Sequence, residues 1–192
     1  SDLRVLKGGI FGLYTRNDIL SASGKVLMEA DTLIELKTTD VDGKISFIAD
    51  LPIDGTYYVK ELYAPDGFVT TGEEQEFVFE YQGDKEAEVS YEFVFEDEPT
   101  TVELSKTDLT TGEELPGARL QLTDENGAVV EEWTSTKEPH IIKELVVGKS
   151  YTLTETKPAD GYATAESITF TVENTVEIQK QVMEEDRKST RL

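Results

Sequence analysis

Residues 101–108, TVELSKTD, alternate between apolar and polar side chains, which is the pattern of a β-strand with one buried face. Val102, Leu104 and Lys106 share one face of this predicted strand. A lysine in line with two core residues is unusual, because an unpaired ammonium group is costly to remove from water. Either the strand end frays and the lysine reaches solvent, or the chain supplies a partner for it.

Two glutamates in the same alternating pattern are candidate partners. In the stretch 151–155, Glu155 shares a face with two apolar residues, and in the stretch 57–61 Glu61 does the same. A single inward glutamate often belongs to a strand edge that reaches solvent. Two glutamates at the same position of a repeated pattern favour a buried role.

The longest alternation covers residues 87–97. One face of this predicted strand consists of Ala87, Val89, Tyr91, Phe93, Phe95 and Asp97. Its apolar stripe therefore ends on a carboxylate.

Three blocks of sequence occur twice, in the same order. The matching ranges are 6–14 with 115–123, 57–68 with 151–162, and 94–97 with 182–185. This order indicates a tandem duplication. Short strand patterns separated by turn residues, of which Asn126-Gly127 is the clearest hairpin signal, predict an all-β fold. We expect two immunoglobulin-like or prealbumin-like β-sandwiches in tandem, at residues 1–99 and 100–185.

Composition excludes several functional classes. The chain has 192 residues and a net charge of -22, so it should repel nucleic acid and anionic membranes. It contains no apolar run long enough to cross a bilayer, so no membrane insertion is predicted. With no cysteine and one histidine, thiolate or histidine zinc sites and a histidine-based catalytic triad are not expected. No metal site or cofactor is predicted.

A buried lysine, a buried glutamate and a carboxylate at the end of the last strand can react with one another. Burial disfavours the charged forms of amines and of carboxylic acids, and a neutral amine is a nucleophile. Such an amine can attack a carboxyl carbon while a glutamate transfers protons, and the products are an amide and water. Fixing the groups in one core raises their effective concentration, to about 10⁵ M or more.

The second copy resembles a collagen-adhesin B-type (CnaB) domain, the prealbumin-like module of Gram-positive surface proteins and SpaA-type pilins. The resemblance lies in Lys106 of SKTD, the LPGA stretch 115–118, Glu155 followed by Gly161 and Tyr162, and the closing stretch 182–185. It implies an intramolecular isopeptide bond between the lysine and an Asp or Asn of the last strand, with the glutamate as its catalyst. The first copy resembles the same module from Gly8 onward.

Both copies depart from the pattern of that family. The second copy has Glu185 where the family has Asp or Asn, and the extra methylene displaces the carboxyl carbon by roughly 1.5 Å. The first copy has Glu61 and Asp97 but no lysine in register, since the equivalent of Lys106 would precede Ser1. We therefore expect the first copy to lack its opening strand. Lys7 is too late in the sequence, and adjacent to Gly8, to replace the missing lysine.

The stretch 186–192, DRKSTRL, is basic at the end of an acidic chain. It resembles the in-frame translation of a sequencing adapter, so we interpret it as non-native, with a genuine basic linker as the alternative. The junction with such an adapter would also account for Glu185 in place of a native Asp.

These observations predict a structural function. We expect stalk or shaft modules of a secreted, cell-wall-attached, extracellular Gram-positive surface protein, an adhesin or a pilin, with Glu155 and Glu61 as catalytic residues of isopeptide formation. Lys106, Glu185 and Asp97 are the candidate bonding residues. The reaction would occur once in each molecule, so the chain is not expected to be an enzyme. Its partners would be neighbouring domains of the same kind and, through other domains, a host surface ligand. The alternative is an adhesin module that itself binds host matrix or glycans.

Overall fold

A computed structural model describes residues 5–80 and 90–189. The chain divides into two compact units, unit 1 with Ser1–Pro65 and Thr70–Asp97, and unit 2 with Asp66–Val69 and Glu98–Leu192. All the regular elements in the described ranges are β-strands. No helix that could cross a bilayer occurs in these ranges.

Unit 1 is built on one four-stranded antiparallel sheet. The strands of unit 1 are β1 (Ile10–Thr15), β2 (Ile19–Leu20), β3 (Val26–Met28), β4 (Leu33–Thr38), β5 (Thr56–Tyr63) and β6 (Glu74–Val78). The sheet has the order β4-β1-β5-β6, and β2 and β3 form a separate two-stranded ribbon.

Unit 2 contains two sheets. Its strands are β7 (Thr101–Asp108), β8 (Arg119–Thr123), β9 (Val129–Thr134), β10 (His140–Lys143), β11 (Ser150–Lys157), β12 (Ile168–Thr171) and β13 (Gln179–Glu185). One sheet has the order β12-β11-β8-β9 and the other the order β10-β7-β13. In the three-stranded sheet, β7 is central, antiparallel to β10 and parallel to β13.

The two units repeat the same plan, which agrees with the duplication in the sequence. The strands β4-β1-β5-β6 correspond in order to β9-β8-β11-β12. Gly8 and Gly117 precede the matching strands β1 and β8 with φ of 97° and 98°. Because left-handed backbone strongly favours glycine, these turns explain why glycine recurs at this position. The hairpin predicted at Asn126-Gly127 joins β8 to β9.

Unit 1 has no counterpart of the three-stranded sheet within the described residues. The segments 44–51 and 91–97, which correspond to β10 and β13, show alternating exposure but form no strand ladder. Their inward residues, Ile45, Phe47, Leu51, Phe93 and Phe95, pack half-buried on the unit 1 core. Ala87 and Val89 of the predicted closing strand lie outside the described residues.

The cores differ accordingly. In unit 2, eleven buried residues form one cluster: Val102, Leu104, Leu120, Leu122, Ile142, Leu145, Tyr151, Leu153, Phe170, Val172 and Met183. The described part of unit 1 has a cluster of four, Phe11, Leu13, Tyr57 and Val59. The prediction of an all-β fold built from two tandem units is confirmed.

Candidate functional site

Lys106 lies near the end of β7, in the middle of the three-stranded sheet. Lys106 is 1 % exposed, and in the parallel ladder it lies opposite Met183 of β13. Its backbone is fixed on the other side by the segment before β8: its N–H donates to Glu114 Oε2 at 3.2 Å, and its carbonyl accepts from the Leu115 N–H at 2.7 Å. The lysine therefore points into the core rather than fraying into solvent.

Glu155 is held against Lys106 by β11. Its Oε1 accepts the backbone N–H of Ala165 at 2.9 Å, and its Oε2 lies 2.7 Å from Lys106 Nζ. The backbone contact fixes the carboxyl group and leaves the second oxygen directed at the amine. The alternation along residues 151–155 thus places this glutamate inward, as the sequence predicts.

Glu185, the last residue of β13, completes the cluster. Its Oε2 lies 3.3 Å from Lys106 Nζ, and the residue is 2 % exposed. Its carboxyl group also contacts that of Glu155. Two carboxyl oxygens form a hydrogen bond only when one of the groups is protonated.

Burial in this cluster disfavours the charged form of Glu185. Burial raises the pKa of Glu185 to about 7, although the nearby Lys106 acts in the opposite direction. The close contacts of Lys106 Nζ with the two carboxyl groups do not meet the geometry of hydrogen bonds, so Nζ has no hydrogen-bond partner among the described residues. A buried ion pair without supporting hydrogen bonds does not recover its desolvation cost. A covalent bond between the amine and a carboxyl group removes that cost.

Unit 1 contains two carboxyl groups that correspond to those of this cluster, and no amine of the described residues pairs with them. Glu61 of β5 is 1 % exposed, and its carboxyl group contacts that of Asp97, which is half-buried. Burial is the largest cause that raises the pKa of Glu61 to about 8, and the neighbouring carboxyl group of Asp97 is the second. Neither carboxyl group has an ion pair with a lysine or arginine of the described residues, and Lys7 is exposed.

A second polar contact, which the sequence does not indicate, closes the end of β7. Tyr162 donates its hydroxyl hydrogen to Asp108 Oδ2 at 2.5 Å, while the N–H groups of Thr110 and Thr111 donate to Asp108 Oδ1. The Tyr162 hydroxyl is the main reason that the pKa of Asp108 falls to about 2. Both residues belong to the sequence motifs of the resemblance, but 54 positions separate them, so spacing alone could not pair them.

Residues 186–188 pair with the loop before Tyr162. Ala163 N–H donates to the Asp186 carbonyl at 3.0 Å, and Lys188 N–H donates to the Gly161 carbonyl at 3.0 Å. The segments 67–69 and 98–100 make the same two bonds. Because these contacts use only backbone atoms, they are compatible with any side chains and say nothing about the origin of the stretch 186–192.

Comparison with protein families identifies the two repeats. The model of the SpaA prealbumin-like fold domain matches residues 1–92 and again residues 100–186. The chain belongs to this family. The resemblance noted in the sequence is therefore confirmed as two tandem copies of a prealbumin-like domain. No curated protein matches the chain.

Several solved structures of similar fold align with 97 % of this SpaA-type chain. The TIE protein of Bacillus anthracis is 25 % identical, with a TM-score of 0.55, and the chain spans 32 % of its length. The shaft pilin SpaA of Lactobacillus rhamnosus GG is 15 % identical, with a TM-score of 0.43 and 87 % of its chain covered. A minor pilin of Streptococcus agalactiae is 18 % identical, with a TM-score of 0.44 and 86 % covered.

Proposed function

We propose that the chain is a pair of structural modules from the stalk or shaft of a secreted, cell-wall-attached Gram-positive surface protein, an adhesin or a pilin. The observation on which this proposal rests is the buried amine of Lys106, 2.7 Å from Glu155 and 3.3 Å from Glu185. A binding groove or turnover site would not require such a cluster deep in a core. Membership of the SpaA-type family supports the same function.

The chemistry is a single condensation in each molecule. The neutral amine of Lys106 attacks the carboxyl carbon of residue 185, and an amide C–N bond forms as the C–OH bond breaks. Glu155 accepts a proton from the amine and returns one to the departing hydroxyl group, which leaves as water. Glu155 is suited to this role because it contacts both the amine and the acceptor carboxyl group.

The bond would join two neighbouring strands, the first and the last of unit 2. Since β7 and β13 are parallel, a force that pulls on both ends of the unit would shear the ladder between them, and the covalent link would carry that load. By analogy with disulfides, the crosslink would stabilise the unit by roughly 2–4 kcal/mol, chiefly through the unfolded chain.

The remaining parts of the proposal concern the parent protein. The repeats at 1–99 and 100–185 would be two of several similar domains, followed here by a non-native or linker stretch at 186–192. Their partners would be neighbouring domains of the same chain, and other domains would contact the host. The protein would be extracellular and attached to the cell wall.

The substitution Glu185→Asp tests this mechanism. It restores the acceptor length found in the family, and we expect the purified variant to lose one water spontaneously. Intact-mass spectrometry would measure the loss, and fragmentation would identify a crosslink between the peptides that contain residues 106 and 185. The unsubstituted chain, whose longer Glu185 displaces the carboxyl carbon, should retain its full mass.

Two double variants control for other sources of water loss. Adding Lys106→Met keeps an apolar stem of similar volume and should abolish the loss, whereas a cyclised aspartate would lose water without Lys106. Adding Glu155→Gln should slow the reaction by on the order of 100-fold or more. An unchanged mass in Glu185→Asp, or a loss that is equally fast without Glu155, contradicts the mechanism.

A further inference from the structure

A loop of the first repeat is built into unit 2. Residues Asp66–Val69 belong to unit 2, although the chain on both sides of them belongs to unit 1. The Val69 N–H donates to the Glu98 carbonyl at 2.8 Å, and the Thr100 N–H donates to the Gly67 carbonyl at 3.0 Å. The loop and the segment 98–100 therefore form an antiparallel bridge within unit 2.

The turn at Glu144 and Leu145, which connects β10 to β11, closes on this loop. The carbonyl of Thr100 accepts the Glu144 N–H at 3.0 Å, and the Thr100 hydroxyl donates to the Leu145 carbonyl at 2.6 Å. A Cβ atom at Gly67 would lie 2.7 Å from the Glu144 carbonyl oxygen, closer than nonbonded atoms approach. Glycine is therefore required at position 67 for this contact as well as for its φ of 90°.

The second repeat carries the same loop with its face uncovered. Gly161 has a φ of 85°, and the segment 186–188 pairs with this loop as the segment 98–100 pairs with the first. Gly67 is buried, whereas Gly161 is exposed. Apart from its chain neighbours, no atom of the described residues lies within 4 Å of a Cβ atom built at Gly161. The surface that receives a turn at Gly67 is thus repeated at Gly161.

We propose that the loop 161–163 and the segment 186–188 form a docking surface for another domain of the same type, which places its β10–β11 turn against Gly161. The partner is a prealbumin-like domain because the turn that fits the first loop is a connection of that fold. The inference deepens the proposed function, on which it rests for the statement that neighbouring domains are the partners.

The buried position of Thr100 adds a requirement on the connecting segment. Thr100 is fully buried and its hydroxyl donates to the β10–β11 turn. Lys188 occupies the equivalent position and is exposed. A lysine has no hydroxyl group for this contact and is costly to bury, so the docked state requires a residue such as threonine at this position.

The test compares the 192-residue chain with an extended chain, in which residues 1–186 are followed by a second copy of residues 99–185. Hydrogen exchange would be read at single amides by mass spectrometry, because the peptide that spans the new junction has a sequence of its own. We expect the protection factor of Thr100 at the new junction to match that of the original Thr100. It should exceed that of Lys188 in the 192-residue chain by about 10-fold or more.

Gly161→Ala tests whether the contact at the loop causes this protection. Gly67 and Gly161 both have left-handed backbone, so alanine strains either loop alike, and only a docked turn adds a steric clash. In the extended chain we expect Gly161→Ala to lower the protection of the junction by about 10-fold or more beyond its effect on Lys188 in the 192-residue chain. Gly112→Ala, at an exposed glycine with φ of 72°, is the matched control and should leave the junction unchanged.

Two results overturn the proposal. One is a junction in the extended chain that exchanges as fast as Lys188 does in the 192-residue chain. The other is an equal effect of Gly161→Ala in both chains, which would show that this glycine serves only its own turn. The first comparison uses no substitution, so it decides the matter even if a variant fails to fold.

Docking and crosslinking fail separately. If the junction is unprotected and Glu185→Asp loses water, the docking proposal is wrong and the function proposed for unit 2 stands. If the junction is protected and Glu185→Asp keeps its full mass, the docking surface stands and the crosslink does not.

Discussion

At the scale of single residues, the described carboxyl clusters of the two units differ in the presence of Lys106 in unit 2. In unit 2 the positive charge of Lys106 opposes the effect of burial on Glu185, whose pKa rises only to about 7. In unit 1 no such charge offsets burial and the contact with Asp97, and the pKa of Glu61 rises to about 8.

The raised pKa of Glu61 predicts how the stability of unit 1 depends on pH. Between the ordinary value of 4.5 and about 8, the folded unit keeps a proton on Glu61 that the unfolded chain releases. The free energy of unfolding is therefore highest below 4.5 and falls as the pH rises toward 8. We expect the melting temperature of unit 1 to fall by on the order of 5 °C across this interval.

Glu61→Gln supplies the test, because its amide is neutral at every pH in the interval. Calorimetry of this variant should show a flatter pH dependence for unit 1, while Glu73→Gln, at an exposed residue that contributes weakly to the same pKa, should leave it unchanged. A wild-type unit 1 that becomes more stable as the pH rises would contradict the assignment.

Residue-level prediction succeeded where side chains alternate strictly along one strand. Lys106 and Glu155 were placed inward because each follows two apolar residues at a spacing of two, and the structure buries both. Tyr162 and Asp108 meet through the folding of a loop, which no local period records. Their contact therefore became visible only in the structure.

At the scale of elements, the alternation of apolar and polar residues predicts which side chains face the core, but it does not predict which strands pair. Segment 91–97 has the pattern of a strand and packs as one, yet it forms no ladder because pairing requires a neighbour as well as a suitable sequence. Its counterpart β13 has the neighbour β7 and forms seven residue pairs with it. The duplication allowed the matching strands of the two units to be predicted, since β1 and β5 repeat β8 and β11.

The contact between Tyr162 and Asp108 should hold the end of β7 against the loop beside β13. The pKa of Asp108 is lowered from 3.8 to about 2, so its contribution to stability is present above 3.8 and disappears as the pH falls through 2. Tyr162→Phe removes the largest cause of this shift. We expect a lower urea midpoint for unit 2 at neutral pH, with a difference from wild type that narrows in acid.

Trp133 fluorescence would follow this unfolding, and Tyr63→Phe is the control, because Tyr63 is exposed and lies in unit 1. If Tyr162→Phe and wild type have equal midpoints at neutral pH, the contact does not stabilise unit 2. A difference that is as large at pH 2 as at neutral pH would show that the hydroxyl acts through something other than the charge of Asp108.

At the scale of the whole molecule, the units should unfold independently and in a fixed order. Among the described residues, unit 2 has eleven buried residues in its core cluster and sheets of four and three strands, whereas unit 1 has four such residues, one four-stranded sheet and a two-stranded ribbon. Burial of apolar surface is the main favourable contribution to folding, at roughly 25 cal/mol per Å². Unit 1 should therefore melt first.

The single tryptophan separates the two events. Trp133 belongs to β9 of unit 2, where it stacks on His140 with ring centroids 4.2 Å apart, so its fluorescence reports unit 2 alone. Circular dichroism reports both units. On heating, we expect the dichroism signal to begin its loss at a lower temperature than the tryptophan signal. Coincident transitions would contradict this order.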